Sequence, residues 1–169
     1  ANVLIFGNIL RGCDIGIRAS GSHPKSGVKI QGNIIEDCLE EALLTSAVED
    51  ITVYGNTFRN IQGDYAVNAN GFENDGTQLF ADNIFENLAN AAVACGGTTV
   101  IKDCLFQGVG IADTPLATLT PAINRQAGAL TVSGCLLKDI RLKGVKSGIY
   151  GANIIENTDI ELVAKNGSV

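Results

Sequence analysis

The chain has 169 residues, of which 46% are hydrophobic, 18% charged and 5% aromatic, and a formal net charge of −6. That length suits one domain with a real core, while twenty glycines and no tryptophan or methionine argue against a helical bundle. The acidic balance disfavours general binding to nucleic acid or to anionic membranes, and no apolar run approaches a membrane-spanning helix.

From the first residues onward the chain repeats a phrase. Val3-Leu4-Ile5-Phe6-Gly7-Asn8-Ile9-Leu10-Arg11-Gly12-Cys13 returns as Val28-Lys29-Ile30-Gln31-Gly32-Asn33-Ile34-Ile35-Glu36-Asp37-Cys38, and again from Ile51 to Ile61 around Asn56. Weaker copies centre on Asn83, Cys104, Cys135 and Asn153, so the anchors are 25, 23, 27, 21, 31 and 18 residues apart. Fixed self-similarity of this kind marks a repeat architecture, and the copies leave no room for a second domain.

Each copy predicts three short strands. Period-two alternation before the anchor gives the first, with Val3/Ile5, Val28/Ile30, Ile51/Val53 and Leu130/Val132 pointing inward. A Gly-Asn turn follows, since both residues tolerate positive φ; Asp82, Asp103 and Ala152 replace the glycine in three copies. Leu10, Ile35, Phe58, Phe85, Phe106, Leu137 and Ile155 then supply a second core position. The third strand is read from a small residue followed by an aliphatic one: Gly16-Ile17, Ala42-Leu43, Ala66-Val67, Ala92-Val93, Ala122-Ile123 and Gly144-Val145. Ile160 to Val163 reads as a final strand.

This pattern resembles the right-handed parallel β-helix proteins of the pectate-lyase-like superfamily, over nearly the whole chain. The fold expected is therefore all-β, a right-handed parallel β-helix (solenoid) of about seven coils, one domain over residues 1–169 and a candidate segment of a longer β-helix. The resemblance implies an extracellular, cell-surface or virion setting, as in polysaccharide lyases, glycoside hydrolases and phage tailspikes. It carries over no catalytic residue. The sequence has no Asp-Asp pair, no Gly-His-Gly and no Arg-Ile-Lys of the polygalacturonase-like hydrolases, and no Asp-Pro-His of the alginate epimerases.

Stacking turns equal positions into columns spaced by roughly 4.8 Å. Asn8, Asn33, Asn56 and Asn83 should form an internal ladder, continued by Cys104 and Cys135, while Cys13 and Cys38 share another column. The cysteines admit a disulfide or metal reading, but no CxxC spacing supports a metal; the simpler reading is small buried apolar residues. Arg11, Glu36, Arg59, Glu86, Gln107, Lys138 and Glu156 form a column of largely alternating charge, consistent with exposed cross-strand pairing. Ile9, Ile34, Thr57, Ile84, Leu105, Leu136 and Ile154 either turn inward or form an outward apolar stripe that a partner, such as a second copy, would cover.

Functional candidates sit on outward rows and in the longer loops. The loops run from Ser20 to Gly27, Asn68 to Gly76 and Gly110 to Pro121. His23, the only histidine, is a candidate base or sugar contact beside Lys25, against the plainer reading of an exposed loop histidine. Asp82 and Asp103 hold the same turn position in adjacent copies. A carboxylate pair there suits acid/base work or a calcium ion, against the plainer reading of aspartate as a turn residue. Tyr54 and Gln31 lie in the neighbouring row as sugar contacts, with Lys102 placed to neutralise a uronate. Lys138, Arg141, Lys143 and Lys146 make a basic cluster, read either as a contact for acidic polysaccharide or as a solvated face. The function expected is recognition of an extended acidic polysaccharide, with its cleavage as the catalytic form of that reading; the alternative is a non-catalytic stalk, adhesive module or assembly subunit.

Overall fold

A strand whose alternate side chains are apolar must bury one face, and a turn of three such strands can do so only against its neighbours. The computed structural model describes residues 2–20, 27–46, 48–69, 76–111, 121–141 and 149–158, and among these every ordered element is β-strand or turn, with no helix. The first sheet contains β1 (Val3–Phe6), β4 (Val28–Gln31), β7 (Ile51–Tyr54), β10 (Thr77–Ala81), β13 (Thr98–Lys102), β16 (Ala129–Ser133) and β18 (Ile149–Gly151), in that spatial order. The second contains β2 (Ile9–Arg11), β5 (Ile34–Glu36), β8 (Thr57–Arg59), β11 (Ile84–Leu88), β14 (Leu105–Val109), β17 (Leu136–Ile140) and β19 (Ile154–Glu156). The third contains β3 (Ile17–Ala19), β6 (Leu43–Thr45), β9 (Tyr65–Ala69), β12 (Ala91–Cys95) and β15 (Ile123–Arg125).

Each strand pairs in parallel with its equivalent one copy away, so the chain is a parallel β-solenoid. The coil count falls below the seven expected. Five turns carry a strand in all three sheets, giving four steps of complete stacking. The last two copies contribute only to the first and second sheets, because Gly144-Val145 and Ile160 to Val163 lie outside the described residues.

The inward rows are sealed. Ile30, Val53, Phe80, Ile101 and Val132 have no solvent exposure, and neither do Ile35, Phe58, Phe85 and Phe106 on the second sheet. Phe58, Phe85 and Phe106 stack as a file with ring centroids 5.0 and 4.8 Å apart. The expected turn chemistry holds in every copy: Gly7, Gly32, Gly55, Asp82, Asp103, Gly134 and Ala152 all have φ between 53° and 69°.

The asparagine ladder forms with a consistent direction. The backbone N–H and Nδ2 of Asn33 both donate to Asn56 Oδ1, at 2.9 and 3.0 Å, and those of Asn56 donate in the same way to Asn83 Oδ1. Asn83 Nδ2 then reaches Cys104 Sγ at 3.9 Å. Nothing polar in this buried column is left without a partner.

The row beginning Ile9 faces outward, opposite the core row beginning Leu10. Ile9 and Ile154 are 61% exposed, and Ile34, Leu105 and Leu136 are half-buried.

The charge column departs from expectation in one respect: its centre is not exposed. The Glu36 side chain is only 6% exposed and is held between Arg11 and Arg59, with Arg59 Nε 2.7 Å from Oε2. Arg59 also reaches Glu86 at 3.6 Å, and Lys138 reaches Glu156 at 3.6 Å; Gln107 interrupts the series. Hydrogen bonds from Arg59 and then Arg11 hold the Glu36 carboxyl below its ordinary value of 4.5. A carboxyl depressed in the folded state stabilises the fold fully above its unfolded value and loses that contribution as the pH falls below it. Glu36→Gln should therefore flatten the acid limb of the stability curve below about pH 4.5 relative to the native chain. Circular dichroism across an acid titration reads the effect, and parallel acid limbs would remove this role for Glu36.

Candidate functional site

Strand register decides which of the candidate residues meet. Phe6, Gln31, Tyr54, Ala81, Lys102 and Ser133 are successive partners across the first sheet. They face outward because the residues before them, such as Ile30, Val53, Phe80 and Ile101, fill the core. Tyr54 is 43% exposed and Lys102 is exposed, whereas Ala81 between them is only 1% exposed. The small alanine is thus covered by its surroundings, and the phenol ring and ammonium group to either side of it stand two strand steps apart, about 10 Å.

Asp82 and Asp103 follow Ala81 and Lys102 directly, in the left-handed turn column, at φ 53° and 54°. Both are exposed. Their N–H groups donate to the Lys102 and Ser133 carbonyls at 3.2 and 3.0 Å, so the backbone sets the two residues one strand step apart. A Cβ on Gly134 would meet Asp103 Oδ1, which shows this carboxylate leaning over the next turn. Asp82, Asp103 and Lys102 join none of the ion pairs among the described residues. The structure therefore brings Gln31, Tyr54, Lys102, Asp82 and Asp103 onto one ribbon at one edge of the first sheet. His23 and Lys25 lie outside the described residues, as do Lys143 and Lys146 of the basic cluster.

Chemically the ribbon offers an aromatic face, one cation and two neighbouring carboxylates open to solvent. Among the described residues no group of three or more His, Cys, Asp or Glu side chains converges as a metal centre, so a calcium ion held here would take the aspartate pair plus water or ligand oxygens. Behind the ribbon, Cys104 and Cys135 are 2% and 1% exposed. A hydrogen bond with Cys135, together with burial, pushes the Cys104 thiol up. All five cysteines are free. Burial also raises Cys95, to about 11. Buried thiols of this kind are closed to reagents in solution.

Several features escaped the sequence reading. A second left-handed column runs through Gly12, Asp37, Asn60, Asn87, Gly108, Asp139 and Asn157. In it Asn60 Nδ2 donates to Asp37 Oδ1 at 2.9 Å, and Asn157 Nδ2 to Asp139 Oδ1 at 3.0 Å. Its signal was the recurrence of Gly, Asp or Asn four residues after each anchor. The tripeptide Asn157-Thr158-Asp159 matches the Asn-Thr-Asp of the polygalacturonase-like hydrolases. Here Asn157 is a turn residue and Thr158 Oγ1 bonds the Glu156 carbonyl at 2.9 Å, while Asp159 lies outside the described residues. Gln78 and Thr99 occupy inward positions where aliphatics were expected. They satisfy each other at 3.3 Å, with Gln78 Nε2 also 2.8 Å from the Ala69 carbonyl. Finally, a cleft of about 310 Å³ opens at the first turn between Val3, Ile5, Val28, Val48, Ala19 and Arg18.

Comparison of the chain with protein-family models, with curated proteins and with solved structures returned no match. Among the described residues no helix is long and apolar enough to cross a membrane.

Proposed function

We propose that the first sheet binds an extended, uronate-containing polysaccharide, in the manner of a carbohydrate-active β-helix enzyme or a tailspike-like depolymerase outside the cell or on a virion. The observation that carries this reading is the shared ribbon. Tyr54 and Lys102 flank Ala81 in the register, with Asp82 and Asp103 alongside. Tyr54 offers its ring as a platform, Gln31 adds hydrogen bonds, and Lys102 pairs with a uronate carboxylate. Asp82 and Asp103 serve acid/base chemistry or hold a calcium ion that bridges to the substrate. A linear, regularly spaced polymer suits a surface whose own features repeat at each strand step.

Incubation with a panel of uronate polymers, following both retention and the appearance of unsaturated or reducing ends, tests the proposal. Lys102→Ala should weaken retention about tenfold or more, since a charge-assisted hydrogen bond contributes about 1.5–3 kcal/mol. Asp82→Asn and Asp103→Asn should abolish any cleavage. Undiminished binding in Lys102→Ala and Tyr54→Ala would reject the ribbon as the site.

A second reading, a structural stalk or assembly subunit, draws on the outward row of the second sheet. There Ile9, Ile84 and Ile154 are 61%, 38% and 61% exposed, the kind of apolar surface that a partner covers. Failure to bind any polymer, together with concentration-dependent association in light scattering, would favour it.

A further inference from the structure

We propose that Cys13 and Cys38 are a redox-closable pair, which a small disulfide such as oxidised glutathione converts into a covalent staple between the first two turns. Three observations lead there, none shared with the polysaccharide reading. The first is register. β2 and β5 pair through Arg11 and Glu36, and the ladder continues past them, with Gly12 N–H donating to the Glu36 carbonyl at 3.2 Å and Leu39 N–H to the Cys13 carbonyl at 2.9 Å. Cys13 and Cys38 therefore occupy adjacent rungs, roughly 4.8 Å apart, inside the Cα spacing of about 4.4–6.8 Å that a disulfide spans.

The second is orientation. Cys13 Sγ donates to the Arg11 carbonyl at 3.7 Å and Cys38 Sγ to the Glu36 carbonyl at 3.9 Å, each two residues back in its own turn. The two thiols are therefore held in the same way, one above the other, in neighbouring turns. The third is access. Cys13 is partly exposed, whereas Cys38, Cys95, Cys104 and Cys135 are 0%, 0%, 2% and 1% exposed. Only one member of any stacked pair can meet a reagent from solution, and it belongs to this pair. Cys104 and Cys135 share the same stacking but are closed to attack.

The chemistry balances with glutathione disulfide as oxidant. The Cys13 thiolate attacks one glutathione sulfur, forming a mixed disulfide and expelling one glutathione thiolate. The Cys38 thiolate then attacks Cys13 Sγ, the bond to the second glutathione breaks, and that glutathione leaves. Two protein thiols have become one disulfide, one small disulfide has become two thiols, and the two protons lost by the cysteines end on the departing thiolates.

The test is to incubate the folded protein with oxidised glutathione, quench with acid, and count thiols after unfolding. The expected result is a fall from five free thiols to three, with peptide mapping joining Cys13 to Cys38. Cys104→Ser should still lose two thiols, whereas Cys38→Ser should stop at a glutathione adduct on Cys13. Retention of all five thiols, or a bridge mapped to Cys104 and Cys135, would overturn the proposal. So would a stable glutathione adduct on Cys13 of the native chain. Thiol counting after complete unfolding does not depend on how stable a variant is, and Cys13→Ser, keeping all four of its thiols, controls for reaction elsewhere.

Discussion

Asn56→Ala should destabilise the protein by about 3–5 kcal/mol, the largest loss expected from a single polar side chain. One amide makes five contacts in the centre of the ladder. Its Oδ1 accepts the N–H and Nδ2 of Asn33, and its Nδ2 donates to Asn83 Oδ1, to the Ile30 carbonyl at 2.9 Å and to the Tyr54 carbonyl at 3.1 Å. The residue is 1% exposed, so truncation leaves those partners buried with no water to replace what they lose. Each satisfied bond contributes only about 0.5–1.5 kcal/mol net, but an orphaned buried group costs about 1–3 kcal/mol. The orphans dominate. Urea denaturation measures the change. Asn56→Cys gives the sharper comparison, because cysteine occupies the same column at Cys104 and Cys135, and Cys104 Sγ lies within reach of the Asn83 amide. It should lose distinctly less than alanine. Equal losses would show that the column matters for shape alone.

Phe85→Ala should cost a similar amount, about 3–5 kcal/mol from burial and the cavity left behind. Phe85 has no solvent exposure and is the only ring of the file with a neighbour on both sides, at 5.0 and 4.8 Å. Each aromatic contact adds about 0.5–1.5 kcal/mol beyond burial, so the loss should exceed that of Phe58→Ala, which breaks only one contact. Neighbouring turns are tied by the backbone ladders and cannot close on the void, so little relaxation is available. Phe85→Leu should recover most of the loss by refilling volume. If Phe58→Ala proved the more costly, the stacking contribution would be negligible beside local packing.

The parts of the fold legible in the sequence are those where one residue type recurs at one place. Asparagine at positions 8, 33, 56 and 83, preceded by glycine in three of the four copies, fixed the turn and with it the register of the flanking strands. The adjacency of Tyr54, Ala81 and Lys102, and of Asp82 and Asp103, followed from that register. Burial was less legible, because it depends on what the turns above and below supply. Glu36 looks like an exposed ladder charge until Arg11 and Arg59 close over it from both sides. The second left-handed column was hidden because Gly, Asp and Asn share the backbone conformation without sharing a letter. Gln78 and Thr99 broke the apolar rule together, and each is satisfied by the other and by a backbone carbonyl, of Ala69 and Gly96, that the sequence does not show to be near. The loops that carry His23 and Lys25 have no period, so register reasoning has no hold on them.

The columns persist although successive anchors are separated by as few as 18 residues and as many as 31. Length variation is absorbed in the connections, so insertion there leaves the hydrogen-bonded scaffold in step. A lineage built on such a frame can enlarge or recast one corner without renegotiating the rest. It can also duplicate or excise whole storeys, provided the cut falls between equivalent rungs. Novel chemistry is then an ornament hung on a repeating staircase.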